Sequence, residues 1–145
     1  MTEYPRKHFP GTPTWLKEAV ARACAKTGVN EDKWRVPLEA IARYESDCDP
    51  YVYGDSAVGM MQLAYGMYRS AWNEGLINTI NHHNATQALV VAIYYIQGKL
   101  PGYGGYGGIT KLLARTDRGP GEALRFWIGM PSAGYGEIRE YYHGY

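Results

Sequence analysis

Short stretches of helical periodicity, cut by glycine and proline, set the strongest limit on how this chain can fold. After Asn84, the residues Leu89, Ala92, Ile93 and Ile96 recur on one helical face, and Gly98 ends the run. Asn84 with Gln87 three positions later forms a capping-box-like start. The apolar run 88–96 is the longest in the sequence and far too short to cross a bilayer. Residues 101–108, Pro-Gly-Tyr-Gly-Gly-Tyr-Gly-Gly, hold six Gly or Pro in eight positions, which rules out regular structure and fits a mobile flap or a long turn, the turn being favoured. Upstream, Thr12-Pro13 can cap and open a helix with Leu16, Ala19, Val20, Ala23 and Cys24 on one face and Gly28 as its stop. Asn30 caps a short turn. Further short helices are expected over Met67–Asn73, ending at Gly75, and over Ile109–Arg115, Glu122–Ile128 and Tyr135–Tyr142. Strand signals are few, and Val58–Leu63 suits a strand as well as a helical turn. The expectation is a mainly α fold of six to eight short helices, with room for a small β-hairpin near 51–63. Residues 1–11, polar and Pro-rich, read as a flexible arm, and 12–145 as a single domain.

One carboxylate sits against this pattern. Pro37 suits the first turn of a helix, and Leu38, Ile41 and Ala42 then fall at i, i+3 and i+4 of a core-facing stripe. Glu45 is the i+7 position of that stripe. Burial disfavours its charged form, and so does the negative end of a helix, so both effects raise its pKa. A carboxylic acid kept protonated near neutral pH is what general acid catalysis requires. A partly exposed glutamate at a frayed helix end fits the same spacing.

Composition excludes little beyond the obvious. A net charge of +1 gives no reason to expect nucleic acid or an anionic membrane as partner. Tyrosine stands out, with 14 residues against two phenylalanines. Its apolar face and polar tip suit a surface that stacks on sugars or peptides, and suit equally a small core built with Tyr in place of Phe. The first ten residues contain no apolar secretory segment. Cys24 and Cys48 could pair or remain free, two free thiols being the slightly favoured reading. The adjacent His82 and His83 lack a Cys or carboxylate at ligand spacing, so no metal and no other cofactor is expected. Lys111, Arg115, Arg118 and Arg125 follow the spacing of a solvated face.

Between Glu45 and Gln62 the chain resembles the lytic transglycosylases and goose-type lysozymes. The matching residues are Glu45-Ser46, the Asp49-Pro50 step and Gly59-Met60-Met61-Gln62-Leu63, with Ala57 at the family's Ala and Ser56 in place of a family Gly. Tyr95-Ile96 is similar to the family's Tyr-Leu, although Ala88 and Ala92 replace its Asn and Gly. The likeness covers residues 38–98 and is nearest to the lysozyme-like domains of phage tail tape-measure proteins. A further family motif, Ala-Tyr-Asn-Ala-Gly, has Arg125-Phe126-Trp127-Ile128-Gly129 as its nearest counterpart. Phe126 lacks the hydroxyl that in the family helps position the acid, so either another tyrosine replaces it, with Tyr94, Tyr95 and Tyr135 as candidates, or the activity is weakened.

The resemblance implies a lysozyme-like fold and cleavage of the β-1,4 bond between N-acetylmuramic acid and N-acetylglucosamine in peptidoglycan. Glu45 is then the general acid and, once ionised, the base. Ser46, Gly59, Met60, Met61, Gln62, Tyr94 and Tyr95 are the implied substrate-binding residues. Ser46 orients the acid or meets the sugar, Gln62 addresses an N-acetyl group, one of the two methionines lines the site, and Gly59 lets the backbone approach the substrate. A hydrolase also wants a second carboxylate; Asp47, Asp49 and Asp55 lie in the right loop, with Asp55 best placed and Asp49 explained equally by a turn before Pro50. The expected partner is the glycan strand, bound by a monomer or by a domain of a larger protein, with no nucleic acid and no membrane insertion. Without a visible signal peptide, access to the wall requires phage delivery, release through a holin, or excision from a longer chain. The competing reading is a non-catalytic wall-binding or structural phage module that keeps the fold.

Overall fold

The most apolar segment of the chain becomes the helix at the centre of the core. The structure, a computed structural model, describes residues 8–113. Among them are five helices: α1 Thr14–Thr27, α2 Glu31–Ser46, α3 Tyr65–Asn73, α4 Ala85–Ile96 and α5 Ile109–Leu113. The fold is mainly α. Ala88 to Ile93 and Ile96 are all buried, so α4 is covered around most of its circumference, as expected of a helix apolar on nearly every face. α1 packs against α4 and α2, and α3 against α4. The faces of α1 and α2 that periodicity marks, Leu16, Ala19, Val20, Ala23 and Cys24 with Leu38, Ile41 and Ala42, are in the core.

Several boundaries differ from the sequence reading. Asn30 caps a long helix, not a short turn: its side chain accepts from the Lys33 amide, and Pro37 lies inside α2. An interior proline forfeits one backbone hydrogen bond. Here the start is secured by the cap, by acidic Glu31 and Asp32 in the first turn, and by Arg35, which binds both at 2.6 and 3.0 Å. At α1 the side chain of Thr12 donates to the Phe9 carbonyl at 2.7 Å and caps nothing. At α4 the Asn84 cap forms, with Oδ1 accepting from the Gln87 amide at 2.8 Å, but the box does not close. The Gln87 side chain instead holds the preceding loop through the Thr79 carbonyl and the Asn81 amide. α3 starts two residues before the predicted Met67. Residues 51–63 contain only isolated bridges, Tyr53 with Val58 and Val58 with Leu63, in place of a hairpin ladder. The Gly-rich turn folds back on the end of α4, where the amides of Tyr106 and Gly108 both donate to the Ile96 carbonyl. The expected helices over 122–128 and 135–142, residues 114 and 115 of the fifth, Phe126 and Tyr135 lie outside the described residues.

The arm expected over residues 1–11 is docked in its described part. Phe9 is buried in the core and packs edge-on to Tyr44. The anchor is Glu39, fully buried on α2, which accepts from the Phe9 amide at 2.7 Å and meets His8 Nδ1 at 2.6 Å. Arg43 adds a bond to the Pro10 carbonyl at 2.9 Å. Burial raises the Glu39 pKa, and its bonds to His8 and to the Phe9 amide only partly oppose that.

Replacing Glu39 with Ala strands these donors, and we expect a loss of about 3 kcal/mol in denaturant unfolding. A raised folded pKa means a contribution that is complete below the unfolded carboxylate range and is lost as pH rises through the folded value. The stability of Glu39→Gln relative to wild type should therefore improve with rising pH. A flat difference between pH 4 and 8 contradicts this.

Candidate functional site

The last turn of α2 carries Glu45, which is half-buried. Burial raises its pKa, and among the described residues no cation or hydrogen-bond donor offsets the effect. Its apolar stripe accounts for this: Leu38, Ile41 and Ala42 carry the face into the core, and Glu45 emerges where that face reaches the end of the helix.

The chain then turns through two left-handed residues, Asp47 at φ 54° and Cys48 at φ 61°. The Cys48 amide reaches back to the Ala42 carbonyl at 3.0 Å. Among the described residues the only other non-glycine at positive φ is Gln62 at 48°. Two of the strained positions thus directly follow the Glu-Ser half of the pattern, and the third closes its Gly-Met-Met-Gln half. Such conformations persist only when their surroundings impose them, and they concentrate at functional sites.

The two halves are tied together directly. Ser46 Oγ donates to the Met60 carbonyl at 2.7 Å and accepts from the Asp49 amide at 3.1 Å. Ser46 therefore fastens the Gly59–Gln62 turn to the helix end that bears Glu45. The side chains of Met60 and Met61 are both in the core, which corrects the expectation that one of them lines a sugar site. They anchor the turn from beneath. Gly59, at φ +80°, donates its amide to the Val52 carbonyl, and a Cβ there would stand 2.5 Å from the His82 carbonyl. Its close approach is to protein backbone. Gln62 Nε2 donates to the Gly59 carbonyl at 2.9 Å, and Oε1 occupies the space left by the missing side chain of Gly54.

The remaining expected residues lie elsewhere. Asp55 is exposed in the bend that the Tyr53–Val58 bridge closes. Tyr94 lines a cavity of about 560 Å³ with Arg22, Lys26, Asn78 and Gln87, with Lys99 Nζ 5.8 Å from its ring centre. Tyr95 packs edge-on to Tyr106 of the Gly-rich turn. Cys24 and Cys48 are free, and burial pushes the Cys24 thiol up to about 12, which suppresses its thiolate. Among the described residues no group of three or more His, Cys, Asp or Glu is placed to hold a metal ion, and no helix is long and apolar enough to cross a membrane.

Three features escaped the sequence reading. Glu39 is more deeply buried than Glu45, and its partners His8 and Phe9 lie some 30 residues away in sequence. The hydroxyl of Tyr68 is buried beside Gly59 with no hydrogen-bond partner among the described residues, and burial pushes its pKa well up. The loop carrying His82 and His83 is wedged against the motif, through the His82 carbonyl at Gly59 and His83 Nδ1 3.4 Å from the Pro50 carbonyl. Nothing in the local sequence signals these approaches, because each depends on a distant partner.

Comparison of the chain with protein-family models, with curated proteins and with solved structures gives no match.

Two substitutions test this geometry. Ser46→Ala should cost about 1 kcal/mol in unfolding experiments, because the Met60 carbonyl loses its donor. Asp47→Gly should instead stabilise by about 1 kcal/mol, since glycine accepts the left-handed conformation freely. The Asp47 carboxylate is 91% exposed and 3.8 Å from Arg43, a pair that adds little in water. A destabilised Asp47→Gly would show that the turn is not strained.

Proposed function

We propose that this chain is a peptidoglycan-cleaving glycosidase of lysozyme-like fold, a lytic transglycosylase or muramidase, with Glu45 as its general acid. The observation that carries the reading is the Ser46–Met60 hydrogen bond, which places the Gly-Met-Met-Gln turn against the helix end holding a half-buried, pKa-raised Glu45. The mainly α architecture agrees with such a fold. The partner is the glycan strand of the wall, reached by phage delivery, holin release or as part of a longer protein.

In this mechanism the Glu45 carboxyl gives its proton to the glycosidic oxygen as the C–O bond breaks, leaving an oxocarbenium-like sugar. The resulting carboxylate then takes a proton back. If it comes from the sugar's own 6-hydroxyl, that oxygen closes on the anomeric carbon and an anhydro ring forms without a second carboxylate. If it comes from water, the product is hydrolysed, and an assisting carboxylate such as Asp55 is useful. With Met60 and Met61 in the core, the sugar-facing groups of the turn are its backbone and the part of Gln62 left accessible. Ser46 acts as a positioning residue through the Met60 carbonyl.

The test is clearance of purified cell walls. Wild type should clear them and Glu45→Gln should lose activity by at least a hundredfold, within the usual range for a general acid. Because Glu45 must be protonated, clearance should fall as pH rises through its raised pKa. Equal clearance by both proteins sinks the assignment, and failure of wild type to clear while still binding walls points to a non-catalytic wall-binding module. Mass spectrometry of the released fragments separates the two routes, by an anhydro end or an added water.

A further inference from the structure

His82 and His83, which have no part in the proposed chemistry, each sit between two tyrosines. The His83 ring lies 5.6 Å from that of Tyr51 and 4.9 Å from that of Tyr53, and Nε2 hydrogen-bonds the Tyr53 hydroxyl at 2.6 Å. The His82 ring packs edge-on to Tyr65 at 5.1 Å and Tyr68 at 4.8 Å. Three of these tyrosines are exposed: Tyr51 is 70% exposed, Tyr53 65% and Tyr65 42%. Beside them Tyr65, Gly66, Arg69, Ile80 and His82 line an open cavity of about 470 Å³, inside the roughly 300–1,000 Å³ range of small-molecule sites.

The arrangement is braced. The His83 amide donates to Asn81 Oδ1, its Nδ1 approaches the Pro50 carbonyl, and the His82 carbonyl is held against Gly59. The histidines thus brace Tyr51, Tyr53 and Tyr65 at the surface, His82 with its other face on the buried Tyr68. Exposed aromatic rings held in fixed orientation lose little conformational freedom on binding. Their apolar faces and polar tips match the alternating C–H faces and hydroxyls of pyranose rings. Charge favours a neutral chain over a polyanion. Among the described residues Arg69 is the one cation lining the cavity, while Asp49 and Asp55 flank Tyr51 and Tyr53, so they offer a phosphate backbone fewer cations than it needs.

We propose that Tyr51, Tyr53 and Tyr65, braced by His82 and His83, form a stacking platform for an N-acetylated β-1,4-linked glycan, separate from the residues that carry out cleavage. This rests on the proposed glycosidase reading only for the identity of the sugar. The probe is N-acetylchitohexaose, titrated by calorimetry in a Glu45→Gln background to prevent turnover. We expect saturable binding, weakened at least tenfold by adding Tyr51→Ala and Tyr53→Ala, with circular dichroism unchanged and only a small fall in thermal midpoint from the lost exposed Tyr53–His83 hydrogen bond. Tyr65→Ala should weaken it as well, whereas Trp15→Ala, which removes an exposed aromatic on α1, should leave it as it was. No saturable binding, affinity indifferent to the tyrosines, or a thymidine decanucleotide bound tightly through the same residues would overturn the platform. Wall clearance with no tyrosine-dependent hexasaccharide binding overturns the platform alone. Tyrosine-dependent binding without wall clearance supports the platform and counts against the cleavage reading.

Discussion

The hydrogen bond from Ser46 to the Met60 carbonyl is the constraint on which the architecture around Glu45 depends. It joins a helix end to a turn 14 residues further along the chain. To make it, the backbone must reverse sharply after α2, which it does through the left-handed Asp47 and Cys48. The turn must also present a carbonyl outward while its side chains point inward, which the buried Met60 and Met61 enforce. The core thus fixes the turn from below and Ser46 fixes it from the side. Strain at Asp47, Cys48 and Gln62 is tolerated because both anchors would have to fail for it to relax.

Two carboxylates on the same helix show how environment separates roles. Glu39 is fully buried, with His8 and the Phe9 amide as partners, and it holds the described part of the N-terminal segment to the fold. Glu45, a turn and a half further on, is half-buried without a compensating donor among the described residues. Burial raises both pKa values, yet Glu39 is wholly enclosed in the core whereas Glu45, in the last turn of α2, keeps access to solvent. That contrast, more than either shift alone, supports the proposal of Glu45 as the acid.

The histidine pair gives the loop before α4 a structural purpose. Its backbone fills the space that Gly59 leaves open, and its rings orient tyrosines from two different segments. Rigid aromatic surface beside the Glu45 turn is the physical basis of the proposed platform.

The helices were largely legible in advance, because a buried face repeats at a period visible in any sequence: Leu89 to Ile96 and Leu38 to Ala42 are where periodicity places them. Glycine stops at Gly28, Gly75 and Gly98 were legible too, since each adopts the positive φ that few other residues accept. Pro37 misled, because its local preference for a first turn yielded to a helix already secured by Asn30 and Arg35. The order Glu-Ser, then Gly-Met-Met-Gln, could mark two stretches but not join them. Only the tertiary structure brought Ser46 to Met60, buried Met60 and Met61, set Glu39 against His8 and gathered four tyrosines around two histidines. The physical reason is the same in each case: local sequence sets backbone preference and the direction of an apolar face, whereas a polar contact between distant segments exists only once packing has chosen their register. Among the described residues the sequence by itself set the apolar faces of the helices and singled out Glu45; the packing decided what surrounds it.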